Sequence, residues 1–207
     1  MIIARFLFPC RCLFCDEVIP PDKPCCNNCL KYLNIAPHKK VLPSGYTCVS
    51  AFVHEGVHRE AVLRYKYRQH KQHYIQFAIV MSDIISKCYD DISFYYYTSV
   101  PPHKQKTNER PYDQVKLLAK ETARLNKTVY KPLLYQATES KSQHSLSREE
   151  RIANVKNVYQ CIDSIDITDK NILIFDDVVT TGSTLSACAD KLIEHGAGSV
   201  CFVTINW

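Results

Sequence analysis

Glycine is scarce, with five in 207 residues, which rules out a collagenous or glycine-rich low-complexity chain. No apolar run approaches the roughly 18–20 residues that a membrane span needs. Neither G-x-x-x-x-G-K-[ST] nor G-x-G-x-x-G occurs, so the two common nucleotide-binding loops are missing. The opening Met1-Ile2-Ile3-Ala4-Arg5-Phe6-Leu7-Phe8 is apolar, but Arg5 interrupts it. It lacks a basic n-region and a small-residue cleavage site, so it reads as mature protein rather than a secretion signal, and the expected compartment is the cytoplasm. The cysteines number eleven, an odd count that fits a disulfide framework poorly in such a chain.

What the sequence does have is a globular composition, 46% hydrophobic and 23% charged. Its length suits one full core, or one core with a small appended module. The formal net charge is +5 and unevenly spread. Residues 59–71 and 104–131 are rich in Lys and Arg, whereas the stretch after Asp163 is acidic. Such basic stretches suit phosphates, nucleic acid or acidic lipid, and equally suit an ordinary solvated surface.

Six cysteines crowd into residues 10–29, as Cys10, Cys12, Cys15, Cys25, Cys26 and Cys29. They contain two Cys-x-x-Cys units, Cys12-Leu-Phe-Cys15 and Cys26-Asn-Asn-Cys29. A spacing of two lets both thiolates reach one metal from a tight turn, and two such turns complete a tetrahedral four-sulfur site. Thiolates in a reducing compartment favour Zn²⁺ over Ca²⁺ or Mg²⁺. The expected ligands are Cys12, Cys15, Cys26 and Cys29, with Cys10 or Cys25 as possible replacements for a neighbour. Redox-active pairs and an iron–sulfur cluster are the competing readings. Pro20, Pro21 and Pro24 lie between the turns, as in a short loop whose missing core a metal supplies. The other five cysteines, at 48, 88, 161, 188 and 201, sit in apolar stretches and read as small core residues.

Along the chain, residues 1–40 read as the cysteine module and 41–207 as the main domain, with Pro37, Pro43 and Gly45 marking the connection. Strands are expected at Tyr46–Val53, Phe94–Val100, Thr128–Leu134, Ile172–Phe175 and Val200–Ile205. Helices are expected at Arg59–Gln69, Gln72–Lys87, Tyr112–Asn126 and Ser183–His195, the last ended by Gly196. Residues 136–151 are polar and read as a mobile loop. Strands alternating with helices imply an α/β chain with a parallel sheet flanked by helices.

The segment with the most chemistry is Asn171-Ile172-Leu173-Ile174-Phe175 followed by Asp176-Asp177-Val178-Val179-Thr180-Thr181-Gly182-Ser183-Thr184. A fully apolar strand lies in the middle of a parallel sheet, and ligands bind beyond the carboxyl ends of such strands. Asp176 and Asp177 fall there. Two adjacent carboxylates suit a ligand offering donors, such as the 2- and 3-hydroxyls of a ribose. Thr180 to Thr184 then lead into a helix N-terminus, where backbone N–H groups and hydroxyls favour an anion. Gly182 permits the tight turn. Hydroxyl binding followed by phosphate binding describes a pentose 5-phosphate. The bland alternative is a turn whose Asp and Thr cap the helix.

Residues 172–184 resemble the phosphoribosyl pyrophosphate (PRPP) signature of type I phosphoribosyltransferases. With the cysteine module in front, the chain resembles the ComF family, whose members serve in bacterial DNA uptake during competence. Val100-Pro101-Pro102 with Glu109-Arg110-Pro111-Tyr112-Asp113-Gln114 is similar to that family's Val-Pro-x-Pro and Arg-Gly-Phe-Asn-Gln elements, with Pro111 in place of the glycine and Asp113 in place of the asparagine. Gln143-His144-Ser145-Leu146, Arg151, Asn154 and Tyr159 are similar to a third family segment.

The resemblance implies a type I phosphoribosyltransferase-like fold. Asp176, Asp177 and Arg110 are then the candidate catalytic residues, and Asp176, Asp177, Val179, Thr180, Thr181, Gly182, Ser183 and Thr184 the candidate PRPP contacts. Mg²⁺ is implied alongside PRPP. Lys104 could add charge near the pyrophosphate, and residues 138–151 could close as a lid with Arg148 or Arg151 reaching inward. Asp177 could also accept a proton. Three functions remain open. They are a PRPP-binding transferase-like protein of DNA uptake, a catalytically idle sensor or single-stranded-DNA-binding module, and a salvage transferase. Other competence proteins are candidate partners.

Arg64-Tyr65-Lys66-Tyr67-Arg68 interleaves cations with aromatics in a way that could stack bases and touch phosphates. The alternative is an amphipathic helix with its tyrosines against the core. The histidine pairs His54/His58 and His70/His73 read as surface or core residues rather than metal ligands.

Overall fold

The computed structural model describes residues 9–33, 35–67, 71–102, 112–137 and 158–207. In chain order these form α1 (Asn27–Tyr32), β1 (His38–Val41), β2 (Thr47–Phe52), α2 (Gly56–Tyr67), α3 (His73–Cys88) and β3 (Tyr96–Ser99). They continue as α4 (Gln114–Leu125), β4 (Val129–Tyr130), β5 (Leu134–Gln136), β6 (Tyr159–Cys161), β7 (Asn171–Val178), α5 (Ser183–Glu194) and β8 (Ser199–Asn206).

Six strands make one sheet in the order β1-β2-β8-β7-β3-β4. It is parallel throughout except for β1, which pairs antiparallel with β2 at its edge. β5 and β6 form a separate antiparallel pair.

β7 explains the layering. Successive side chains of a strand point to opposite faces. Ile172 and Ile174 enter one core with Leu185, Cys188 and Leu192 of α5 and Phe202 of β8. Leu173 and Phe175 enter the other with Val62 and Tyr65 of α2, Ile84 of α3 and Leu118 of α4. All four β7 side chains are fully buried. An uninterrupted apolar run is what a strand covered on both faces requires.

The expected elements differ from the observed ones in three instructive places. Ile172–Phe175 continues through Asp176, Asp177 and Val178, because β8 is long enough to pair with it there: Asp176 opposes Thr204 and Val178 opposes Asn206. The expected strand Thr128–Leu134 is two short ones in different sheets. Pro132 between them has no N–H to donate, while Lys131 N donates to Tyr97 O at 2.9 Å and Leu133 N to Thr98 Oγ1 at 3.2 Å. The sequence division at residue 40 falls inside β1, whose residues pair with β2 of the main sheet. Most of the polar stretch 136–151 lies outside the described residues.

The cysteine segment is not a free-standing loop. Leu13 and Phe14, the two residues between Cys12 and Cys15, are 0% and 8% exposed in the core shared with Phe52 and Val62. The Phe14 ring meets Phe52 edge-on at 5.7 Å. Arg64 Nη2 of α2 donates to Leu13 O at 2.9 Å and to Phe14 O at 2.7 Å. Among the described residues no helix is long and apolar enough to cross a membrane.

Candidate functional site

α5 begins where β7 ends, and its N-terminus is set by one glycine. Gly182 is the helix N-cap with φ +78°, a left-handed conformation. A Cβ there would lie 2.7 Å from both terminal carbons of Leu42, which is itself buried. The β1–β2 turn therefore braces the loop from behind. Ser44 Oγ and Ser186 Oγ share a hydrogen bond, and Tyr46 Oη donates to Asp190 Oδ1 at 3.2 Å. Thr181 Oγ1 lies 3.0 Å from Ser183 Oγ and 3.4 Å from Ser183 N. The first helical bond, Ser186 N to Gly182 O, leaves the N–H groups before it turned toward the loop.

Replacing Gly182 with alanine combines left-handed strain of about 1–2 kcal/mol with overpacking of about 1–3 kcal/mol against Leu42. Gly182→Ala is expected to lose roughly that sum in urea unfolding, and a variant as stable as the wild type would contradict this geometry.

Two concavities meet at this point. A small one of about 40 Å³ is bounded by Asp176 and residues 178–185. A larger one of about 680 Å³ opens beside it, walled by His54, Leu63, Lys66 and Tyr67, by Val100–Pro102, and by Tyr112–Val115 and Tyr159. Asp176, Val178, Thr180 and Thr184 border both.

The two carboxylates do not sit side by side, because Asp176 and Asp177 belong to the strand and alternate across it. Asp176 Oδ1 accepts from Asp177 N at 2.8 Å, and its charge falls on Cys188 and Tyr159 on the α5 side. Asp177 Oδ1 lies 2.8 Å from Lys66 Nζ of α2, with each side chain 13% exposed. Both still border the large cavity.

The cavity walls have their own chemistry. Burial, and then the neighbouring Cys188 and Asp176, push the Tyr159 phenol up to about 12. Burial, then Lys66 and Arg59, hold His54 below its ordinary range, favouring the neutral ring. His54 Nδ1 is 2.9 Å from Asn206 Nδ2, which can donate to it. Asp113 caps α4 by accepting from Lys116 N at 2.9 Å, and burial raises its carboxyl. Tyr112 Oη donates to Tyr65 O at 2.8 Å and Tyr65 Oη to Gln114 O at 2.6 Å, which clamps α2 to the start of α4.

The aromatic–cationic run 64–68 looks different in three dimensions. Tyr65 is fully buried, Arg64 holds the Leu13–Phe14 carbonyls and Lys66 is paired to Asp177. These three do not form an outward strip for bases. Tyr67 is 60% exposed. Arg68 lies outside the described residues, as do Lys104, Glu109, Arg110 and Pro111, and the whole of 138–157 with Arg148 and Arg151.

Cys12, Cys15, Cys26 and Cys29 bring their sulfurs within 4.8 Å of one another. A tetrahedral zinc–thiolate site, with bonds of about 2.3 Å, sets sulfurs about 3.8 Å apart, and Cys15 Sγ is 3.6 Å from Cys26 Sγ. Cys29 N donates to Cys26 Sγ at 3.4 Å as Cys26 caps α1. Burial, then hydrogen bonds that the Cys29 thiol donates to Cys15, Cys26 and Cys12, raise it. A divalent cation offsets that cost, so the donor set fits a structural metal. Cys10 and Cys25 are not part of the group, and burial pushes Cys25 up to about 11. His58 stacks on Phe52 at 4.6 Å instead of facing a metal.

Sequence reasoning missed Lys66 and His54 as cavity residues. Lys66 is far from Asp177 along the chain, and its local pattern reads as a helix surface. The signal for His54 was equally weak, since its partner Asn206 is at the opposite end of the sequence.

The phosphoribosyl transferase domain family matches residues 117–205. Competence protein ComFC of Bacillus subtilis (strain 168) is 29% identical over 160 residues, covering 75% of this chain and 62% of that protein. DNA utilization protein YhgH of Escherichia coli O157:H7 is 31% identical over 103 residues, covering 49% of this chain and 44% of that protein. The chain thus spans about two-fifths to three-fifths of the length of these relatives. The adenine phosphoribosyltransferase from Saccharomyces cerevisiae aligns over 87% of this chain and 90% of its own, at 11% identity and a TM-score of 0.46. The chain is thus similar to competence and DNA-utilization proteins and carries a match to the phosphoribosyl transferase domain over its C-terminal part.

Proposed function

We propose that this chain binds PRPP with Mg²⁺ at the carboxyl end of β7 and acts in bacterial DNA uptake during competence. One observation carries the reading. The strand, the carboxylates and the glycine-capped helix start lie in sequence around two adjoining concavities, one small and one large. The small concavity suits a 5-phosphate held by backbone N–H groups and the hydroxyls of Thr180, Thr181, Ser183 and Thr184, which are charge-assisted donors to a dianion. Asp176 and Asp177 would accept from the ribose hydroxyls, one from each side of the strand. Arg110 would lie near the pyrophosphate. Mg²⁺, bound mainly by ligand oxygens, supplies countercharge to the diphosphate.

Pentosyl transfer from such a donor breaks the C1–oxygen bond to pyrophosphate and forms a C1–nitrogen bond, with oxocarbenium character at C1. The residues named here would hold both ends of the sugar and neutralise the leaving group. Cys12, Cys15, Cys26 and Cys29 would hold one Zn²⁺ in a purely structural role. Single-stranded DNA and other competence proteins are the proposed partners, and the cytoplasm the proposed compartment.

Calorimetric titration of Mg²⁺–PRPP into the full chain tests the binding. Saturable binding of one PRPP per chain is expected, and no heat or saturation at millimolar PRPP would refute it. Pyrophosphate release across a panel of nitrogenous acceptors then separates transfer from binding alone.

A further inference from the structure

Among the described residues, those bordering the large cavity carry an imbalance of charge. Three carboxylates border it, Asp113, Asp176 and Asp177. Among the described residues Lys66 is the one Lys or Arg that does so. A polyanion entering such a space needs countercharge, because three carboxylates in a partly enclosed site repel it.

Sugar geometry says where that countercharge is needed, on the reading above that the ligand is PRPP. With C5 fixed by the phosphate at residues 180–184 and C2 and C3 by the two carboxylates, C1 is the remaining substituted corner. Its diphosphate must project away from the small concavity into the large one. Lys66 Nζ stands on that side, 2.8 Å from Asp177 Oδ1. An ammonium group has three donors. It can keep its bond to Asp177, so that the carboxylate stays ionised for the ribose, and turn another donor to an incoming oxyanion. His54 nearby is favoured as a neutral ring and adds no charge.

α2 presents Lys66 on a fixed scaffold. The helix is held by Arg64 to the Cys12–Cys15 turn and by Tyr65 to the start of α4. The side chain is 13% exposed, so its amine is already drawn toward the cavity and little ordering remains for a ligand to impose.

We propose that Lys66 is a diphosphate-binding residue of this site, holding Asp177 in place while contacting the C1 diphosphate of the donor.

The test compares two ligands that differ by that diphosphate, PRPP and ribose 5-phosphate. Each is titrated calorimetrically at fixed Mg²⁺ into wild type, Lys66→Met and Lys66→Arg. Lys66→Met is expected to weaken PRPP about ten- to a hundred-fold, the range of one charge-assisted hydrogen bond, and ribose 5-phosphate by less than about three-fold. Lys66→Arg, which keeps the charge, is expected to stay within a few-fold of wild type for both. Thermal melting checks that each variant is folded, and Lys66→Gln gives the same comparison should methionine not fold. Equal losses for the two ligands would mean that Lys66 only supports Asp177, and the proposal falls. Unchanged or tighter PRPP binding would mean that the amine merely fills the site, and it falls again. A wild type that binds neither ligand would overturn the underlying PRPP reading, and is recognised by failing before any variant is compared.

Discussion

Asp176→Asn combined with Asp177→Asn is expected to abolish PRPP binding at concentrations that saturate the wild type, while the chain remains folded. Two charged acceptors are lost at once. Hydrogen bonds to charged groups contribute about 1.5–3 kcal/mol each, so affinity is expected to fall on the order of a hundred-fold or more at about 1.4 kcal/mol per decade. Asparagine keeps the shape, which matters at a strand position paired to β8. It also keeps an acceptor for Lys66, which alanine would leave buried and unmatched beside Asp177. Inorganic phosphate should bind both proteins similarly, because the 180–184 loop is untouched. Calorimetry with PRPP and with phosphate measures the two halves separately. Equal PRPP affinity in wild type and double variant would mean that this segment is structural.

The second large effect is expected at the cysteines. Chelation under reducing conditions, or Cys12→Ser, should lower the thermal midpoint far more than Cys161→Ser, although both side chains are buried. Structural zinc in small peptides contributes an apparent free energy of about 10–16 kcal/mol. Here the consequence extends beyond the turn itself. Leu13 and Phe14 sit between Cys12 and Cys15 and fill the core beside Phe52, and Arg64 of α2 donates to their carbonyls. A loosened turn therefore opens the main core and releases the helix that carries Lys66. Elemental analysis of protein made in zinc-supplied cells should find about one zinc per chain. Metal-free protein with an unchanged melting curve would refute the structural role.

The parts of this fold that were legible in the sequence are those written locally. Ile172 to Phe175 is apolar at every position, and only a strand buried on both faces uses such a run. Leu118, Ala119 and Thr122 recur at helical spacing and are fully buried in α4. The paired Cys-x-x-Cys spacing marked the four sulfurs that come together.

What was not legible depends on residues distant along the chain. β1 reads as His-Lys-Lys-Val, with no alternation to announce a strand, and forms because β2 offers an edge. β7 runs past its apolar residues because β8 does. That extension places Asp176 and Asp177 on opposite sides of the strand, whereas adjacency in sequence suggested two carboxylates side by side. Lys66, with basic and aromatic neighbours, read either as a nucleic-acid contact or as part of an amphipathic helix with its tyrosines against the core. Its environment is decided by Tyr65 entering the core, which turns the next side chain toward Asp177. Gly182 was legible as a turn residue, but its close approach to Leu42 was not.

The central claim is that the carboxyl end of β7 holds a phosphorylated ribose, and a crystal structure of the full chain with PRPP and Mg²⁺ tests it most directly. The 5-phosphate should lie against the backbone of residues 180–184, with the ribose hydroxyls on Asp176 and Asp177 and the diphosphate in the larger cavity beside Lys66. Crystals grown in saturating ligand that show the loop empty, or PRPP bound elsewhere on the chain, would contradict it.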